Sequence, residues 1–139
     1  MADNPYDQVA YRTFPRRQTH PDRLAAIARF FGMKPAPVTA CRVLEIGCGG
    51  GANLIPLAYH LPESRFTGID LAVGPIAKAR AMAGDLAIHN IDLRVADLRD
   101  LSARRLGFQA SDYITASYAR VYLDWCAANG CEPGDMTFA

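Results

Sequence analysis

A glycine-rich turn follows an apolar stretch in the first half of this 139-residue chain, within the run Val-Leu-Glu-Ile-Gly-Cys-Gly-Gly-Gly at positions 43–51. Because glycine has no side chain, such a turn lets the backbone approach a nucleotide-like ligand closely. Gly47, Gly49 and Ala52 also satisfy the G-x-G-x-x-A pattern of a dinucleotide-binding turn. The turn therefore predicts either a nucleotide-type ligand, whose identity it leaves open, or a tight strand-to-helix connection without a ligand.

Glu45 lies two residues before the first glycine of this turn, inside an otherwise apolar stretch. An ionised carboxylate at a buried position is costly unless another group compensates its charge. The amino group of a methionine moiety would do so, whereas a pyrophosphate would be repelled. Glu45 therefore favours a methionine-containing nucleoside over a dinucleotide. A pairing with Arg12, Arg16 or another surface base is the alternative explanation.

Two further carboxylates follow the next two predicted strands. Asp70 ends the second strand, where a carboxylate can accept hydrogen bonds from both ribose hydroxyls of a nucleoside. Asp97 follows the third strand and could accept a hydrogen bond from an adenine amino group, with Ala96 and Leu98 flanking the ring; Asp100 is a weaker alternative for this position. Each aspartate could instead cap the helix that follows it.

Hydrophobic periodicity and turn residues predict the scaffold that holds these residues. Residues 1–18 show no clear period and are interpreted as an extended arm. We predict strands at 41–46, 65–69, 91–95 and 112–117, and helices from an N-cap at Thr19 to a close at Gly32, then at 52–61, 75–83 and 121–128, with a short helical or irregular segment at 98–106. The alternation of strand and helix indicates βαβ units and a mainly parallel sheet of an α/β fold.

Length and composition limit the remaining possibilities. One domain spanning 1–139 fits the length, and the net charge of +1 argues against a bulk attraction to nucleic acid. The four cysteines match no CxxC metal or redox pattern, so we expect reduced thiols and no metal. No apolar run approaches the roughly 20 residues that a membrane span requires. We therefore expect a cytoplasmic protein without a membrane partner.

Three acids at the ends of three successive strands, with a glycine turn after the first strand, resemble the class I S-adenosylmethionine-dependent methyltransferases over residues 41–117. The resemblance implies a Rossmann-like, three-layer αβα fold with S-adenosylmethionine as the cofactor. It also implies that Glu45 holds the amino-acid end, Asp70 the ribose and Asp97 the adenine. The full set of implied cofactor-binding residues is Glu45, Gly47, Cys48, Gly49, Gly51, Asp70, Leu71, Asp97 and Leu98.

A narrower resemblance, to bacterial methyltransferases that carry a C-terminal regulatory domain, extends to the N-terminus. It rests on Tyr-Asp-x-Val at 6–9, Gln-Thr-His-Pro-x-Arg-Leu at 18–24 and Asn-Leu-Ile-Pro at 53–56. In these relatives the arm before the first helix lies near the cofactor. Tyr6, Tyr11 and Gln18 are thus candidate lid or substrate residues, and packing at the surface is the alternative role for the tyrosines.

After the fourth predicted strand the chain departs from both families. The His-Gly and Tyr-Ser-Trp signatures of the narrower family are only echoed within residues 112–125, so no catalytic residue is assigned. A complete class I methyltransferase has seven strands, whereas this chain supplies about four. We therefore expect an incomplete sheet, in a fragment or a minimal cofactor domain, whose open edge could support a homo-oligomer.

Methyl transfer from S-adenosylmethionine to an unidentified small-molecule or protein acceptor is the function that the resemblance implies. The incomplete sheet leaves a non-catalytic S-adenosylmethionine-binding module, or a truncated methyltransferase, as the alternative. A nicotinamide-dependent oxidoreductase is a third possibility, which Glu45 disfavours.

Overall fold

A computed structural model describes residues 13–97, 107–108 and 112–116. Four strands lie in these ranges: β1 (Arg42–Ile46), β2 (Arg65–Asp70), β3 (Ile91–Val95) and β4 (Tyr113–Ala116). The α-helices are α1 (Pro21–Phe30), α2 (Leu54–His60) and α3 (Val73–Asp85), and short 3-10 turns occupy Arg17–Thr19 and Val38–Ala40. The predicted helix at 121–128 and the segment at 98–106 lie outside the described residues.

The four strands form one sheet in the order β3-β2-β1-β4, and all three pairings are parallel. This confirms the predicted α/β class with its parallel sheet of about four strands. The chain moves outward from β1 to β2 and β3, then returns to the other side of β1 for β4. Ligands of open α/β sheets bind at such a reversal, in the crevice beyond the carboxyl ends of the strands.

Alternate residues of each strand face the three helices. Val43, Phe66, Leu93 and Tyr113 pack there in one buried cluster with residues of α1, α2 and α3. The opposite face presents the buried side chains Leu44, Ile46, Ile69 and Ile114. Burial on both faces is what a covered parallel sheet requires. The described helices form one layer on the sheet, and the residues predicted to form the second layer of the three-layer arrangement are not among those described.

The start of α1 differs from the prediction. His20, not Thr19, is the N-cap residue, and its ring nitrogen Nδ1 accepts a hydrogen bond from the backbone N of Asp22. Thr19 ends the preceding 3-10 turn, where its hydroxyl donates to the carbonyl of Arg16. The predicted close of the helix is confirmed, because Gly32 follows the C-cap with a φ of +79°.

Helix α2 begins two residues later than predicted, because residues 51–53 form turns that complete the glycine loop. Pro56 is its third residue. A proline in the first turn is tolerated, since the N–H that it lacks would have had no intrahelical partner there. In the described part of the chain, no helix is both long and apolar enough to cross a membrane.

Gly68, in β2, marks the closest packing between the sheet and the glycine loop. A Cβ at this position would lie 2.7 Å from Cys48 Sγ and 2.8 Å from Leu93 Cδ2. Leu54 Cδ1 of α2 would be 2.9 Å away. We expect Gly68→Ala to lower the free energy of unfolding by about 1–3 kcal/mol, because these side chains must shift to admit the methyl group. Urea denaturation followed by circular dichroism measures this change.

Gly84→Ala is the matched control for this substitution. Gly84 lies inside helix α3, and a Cβ there would meet no atom within 4 Å. We expect a gain of about 0.5–1 kcal/mol, since alanine loses less backbone entropy than glycine in a helix. Equal effects of the two substitutions would contradict the close packing at Gly68.

Candidate functional site

The glycine loop connects β1 to α2 at the carboxyl edge of the sheet. Gly47, Gly49 and Gly51 have φ values of +73°, +53° and +71°, a region that L side chains rarely adopt. The backbone N atoms of Gly47 and Cys48 donate to the carbonyl of Ile69, at 2.8 and 3.1 Å. The loop is therefore bound to the end of β2, and its glycines are needed for its conformation as well as for close approach.

Asp70 is half-buried at the end of β2 and contacts the loop directly. Its Oδ2 accepts a hydrogen bond of 2.7 Å from Gly49 N, and its Oδ1 accepts one of 2.9 Å from Ala72 N. Ala72 is itself the N-cap residue of α3, so Asp70 supports the start of that helix without being its cap. One carboxylate thus organises two of the backbone segments that border the site.

Glu45 is buried in β1, with 1% of its surface exposed. Its Oε1 accepts a hydrogen bond of 3.0 Å from Asn53 Nδ2, in the turn that leads into α2. Asn53 is also buried, at 6% exposure, and binds the segment before α1. Arg16 N donates to its Oδ1 at 2.8 Å, and its Nδ2 donates to Thr19 Oγ1 at 2.9 Å. Glu45 is thereby connected to the N-terminal segment through the side chain of Asn53.

The same N-terminal segment lies against the glycine loop. A Cβ at Gly49 would lie 3.1 Å from Thr13 Cγ2. The described end of the arm therefore borders the loop. Gln18 lies in the 3-10 turn Arg17–Thr19 and is exposed. Tyr6 and Tyr11 lie outside the described residues.

Cys48 lies in the loop with 2% of its surface exposed. Burial strongly raises the pKa of its thiol, and the negative charges of Glu45 and Asp70 raise it further. The thiol therefore stays protonated near neutral pH and is a poor nucleophile. Since its side chain packs inward, near the Cβ position of Gly68, a ligand in the crevice would meet Cys48 only through its backbone.

The third acid lies beside the second. Ala96 N donates to the carbonyl of Asp70 at 2.9 Å, which brings the residues after β3 next to the end of β2. Asp97 follows directly and is half-buried, whereas Leu71 is 42% exposed. Leu98 and Asp100 lie outside the described residues. The structure thus brings the glycine loop, all three predicted acids and Leu71 to the same edge of the sheet.

A separate cavity of 770 Å³ opens at the other end of the sheet. It is lined by residues at the amino ends of β2 and β3, among them Arg65, Asn90 and Ile91. None of the predicted site residues borders it. Because parallel sheets bind their ligands at the carboxyl ends of the strands, we place the functional site at the glycine loop and not in this cavity.

Sequence reasoning missed two contributors to the site. Asn53 appeared only within a resemblance motif, although a polar residue directly after a glycine turn and before an apolar helix is a signal in itself. Gly68 gave no signal in the sequence. A side chain is excluded at this position by three residues that are distant in the sequence, and no local pattern shows this. Among the described residues, no three His, Cys, Asp or Glu side chains are grouped so that they could hold a metal ion.

Comparison with known proteins assigns this chain to a family. Residues 43–129 match the model of a methyltransferase domain, so the chain belongs to that family and the predicted resemblance is confirmed. The chain is 34% identical over 131 residues to aklanonic acid methyltransferase DauC of Streptomyces sp. strain C5; the match covers 88% of this chain and 57% of that protein.

Two relatives from Rickettsia are much longer than this chain. An uncharacterised protein of Rickettsia prowazekii, RP789, is 35% identical over 111 residues, covering 80% of this chain and 20% of its own length. The structure of PKMT2 from Rickettsia typhi in complex with AdoHcy superposes with a TM-score of 0.68 at 32% identity, covering 76% of this chain and 20% of that one. The chain thus spans about a fifth of the length of these relatives, and the Rossmann-like methyltransferase fold is confirmed.

Proposed function

We propose that this chain binds S-adenosylmethionine and transfers its methyl group to an acceptor that is not yet identified. One observation supports this more than any other: a buried glutamate, a glycine loop and two aspartates meet at the carboxyl edge of three adjacent strands. The relative PKMT2 was solved in complex with AdoHcy, the product form of this cofactor. Membership of the methyltransferase domain family supports the same activity.

In this proposal each acid recognises a different part of the cofactor. Glu45 compensates the positive charge of the amino group, and the loop glycines allow close approach of the amino-acid end. Asp70 accepts the ribose hydroxyls. A carboxylate offers about four lone-pair sites, and the two backbone donors leave room for both hydroxyls. Asp97, with Leu98, receives the adenine.

The bound cofactor supplies an electrophilic methyl group on a sulfonium. The chain's own task is to place the acceptor in line with that methyl group and to keep water out, because correct orientation lowers the barrier to such a transfer. A general base is needed only if the acceptor loses a proton. Since the acceptor is not identified, we assign no catalytic base to this reaction.

Transfer of a radiolabelled methyl group from S-adenosylmethionine to cell extracts tests the activity. We expect the purified chain to label a discrete acceptor, and the Asp70→Ala variant to label far less because it binds the cofactor weakly. Binding of S-adenosylhomocysteine without any labelling would instead favour the alternative, a non-catalytic module.

We propose that residues 1–139 act as one domain, that the protein is cytoplasmic, and that an exposed edge of the sheet can pair two copies. The two free, buried thiols of Cys41 and Cys48 support a reducing compartment. The balanced charge supports a small-molecule or protein acceptor over nucleic acid.

A further inference from the structure

Asn53 makes three side-chain hydrogen bonds, one to a donor and two to acceptors. The backbone N of Arg16 requires an acceptor, whereas the carboxylate of Glu45 requires a donor. An amide side chain offers a carbonyl oxygen and two N–H donors at one end, so it can satisfy both. An ionised aspartate has no donor, and alanine has neither group. The contacts therefore account for asparagine at this position.

The amide plane connects two regions that are otherwise distant in the chain. One N–H of Nδ2 points to Glu45 and the other to Thr19, while Oδ1 faces Arg16. Because these atoms share one rigid plane, the orientation that suits Glu45 also determines where Arg16 and Thr19 can bind. Burial of Asn53 at 6% exposure makes loss of any of these bonds costly, since water cannot easily replace the partner.

We infer that Asn53 is a positioning residue that couples occupancy of the cofactor site to the placement of the N-terminal segment, residues 13–19. The inference rests on the proposed function, because Glu45 is the group that the cofactor's amino end would meet. When a cation binds Glu45, the glutamate and the Asn53 amide are held in one arrangement. Residues 13–19 are then held more firmly in the arrangement that the structure shows, with Thr13 beside Gly49 of the glycine loop.

This coupling must act in both directions. If the cofactor stabilises the closed segment by a given factor, the closed segment must raise the affinity for the cofactor by the same factor. A residue with a merely structural role would lower stability without linking the two events. The reciprocity therefore separates positioning from general support of the fold.

Trypsin cleavage after Arg16 and Arg17 reports the position of the segment, because both residues lie within it. Cleavage of a transiently opened segment follows its open population when closing is fast. In the wild-type chain of residues 1–139 we expect saturating S-adenosylhomocysteine to slow this cleavage about fivefold or more, the lower end of typical coupling. In Asn53→Ala we expect faster cleavage without ligand, and no ligand-dependent slowing.

Thr19→Val provides a second variant in case Asn53→Ala folds poorly. Thr19 is only half-buried, and valine removes the hydroxyl that accepts from Asn53. We expect S-adenosylhomocysteine no longer to slow trypsin cleavage of this variant. Its affinity for S-adenosylhomocysteine should fall by the same factor by which the ligand slows cleavage of the wild type. Thr19→Ser keeps the hydroxyl and should behave as wild type.

Asn90→Ala is the matched control for general destabilisation. Asn90 likewise has three side-chain hydrogen-bond partners: its Nδ2 donates to the carbonyls of Ala58, Leu61 and Ser64, at the opposite end of the sheet. We expect it to lower the melting temperature but to keep ligand protection of the segment.

Full protection in Asn53→Ala and Thr19→Val, or equal loss of protection in Asn90→Ala, would overturn the inference. Calorimetry on the wild type separates the two proposals: absence of S-adenosylhomocysteine binding contradicts the proposed function, whereas binding without protection contradicts only the coupling.

Discussion

Replacing Asp70 with alanine should weaken the binding of S-adenosylhomocysteine by close to 3 kcal/mol, or about 100-fold. The effect is large because one side chain performs two tasks. It is placed to accept the ribose hydroxyls, and it already accepts from Gly49 N and Ala72 N, which orders the glycine loop and the start of α3. Isothermal titration calorimetry measures the affinity.

Asp92→Ala is the control for this substitution. Asp92 is an exposed carboxylate on β3 whose ion pair with Arg94 lies within the same strand. Such exposed pairs contribute little to stability, so this variant should bind S-adenosylhomocysteine as the wild type does. An unchanged affinity in Asp70→Ala would remove Asp70 from the site.

Replacing Glu45 with glutamine should have the second-largest effect, but only on ligands with an amino-acid end. We expect S-adenosylhomocysteine to bind about 30-fold more weakly, a loss of about 2 kcal/mol, because the ligand's ammonium group loses its charged partner. Binding of 5′-methylthioadenosine, which has the nucleoside but no amino-acid end, should not change. Parallel titrations with the two ligands measure the difference.

The glutamine variant should remain folded. Its side-chain oxygen can still accept the hydrogen bond that Asn53 donates to Glu45, and a neutral amide costs less to bury than a carboxylate. An unchanged melting temperature would verify this. If Glu45→Gln lowered the affinity for both ligands equally, the assignment of Glu45 to the amino-acid end would be contradicted. For Asp70→Ala, by contrast, an equal loss of affinity for both ligands is the expected result.

Much of the central sheet could be predicted because its signals are local. β3 was predicted with its observed bounds, and β1 differs from its prediction by one residue. A largely apolar run before a glycine turn, as in β1, is typical of a parallel strand that is buried on both faces. The three acids were also predictable, since each lies near the carboxyl end of a strand, and parallel strands bring these ends to one edge of the sheet.

The remaining features of the site depend on contacts between distant segments. Threonine is a common N-cap residue, yet the hydroxyl of Thr19 accepts a hydrogen bond from Asn53, 34 residues away. His20 caps the helix instead. To predict the role of Asn53, one must know that Arg16 N and Glu45 lie on either side of it. No pattern of spacing carries that information, because it arises from packing.

One titration tests the central claim most directly: S-adenosylhomocysteine and NAD are each titrated into the same preparation of the wild-type chain. The glycine turn alone would permit either ligand, whereas the buried Glu45 beside it favours a cationic amino-acid end over a pyrophosphate. Saturable binding of S-adenosylhomocysteine, with no measurable binding of NAD, is the expected result. Tight binding of NAD without binding of S-adenosylhomocysteine would contradict the account.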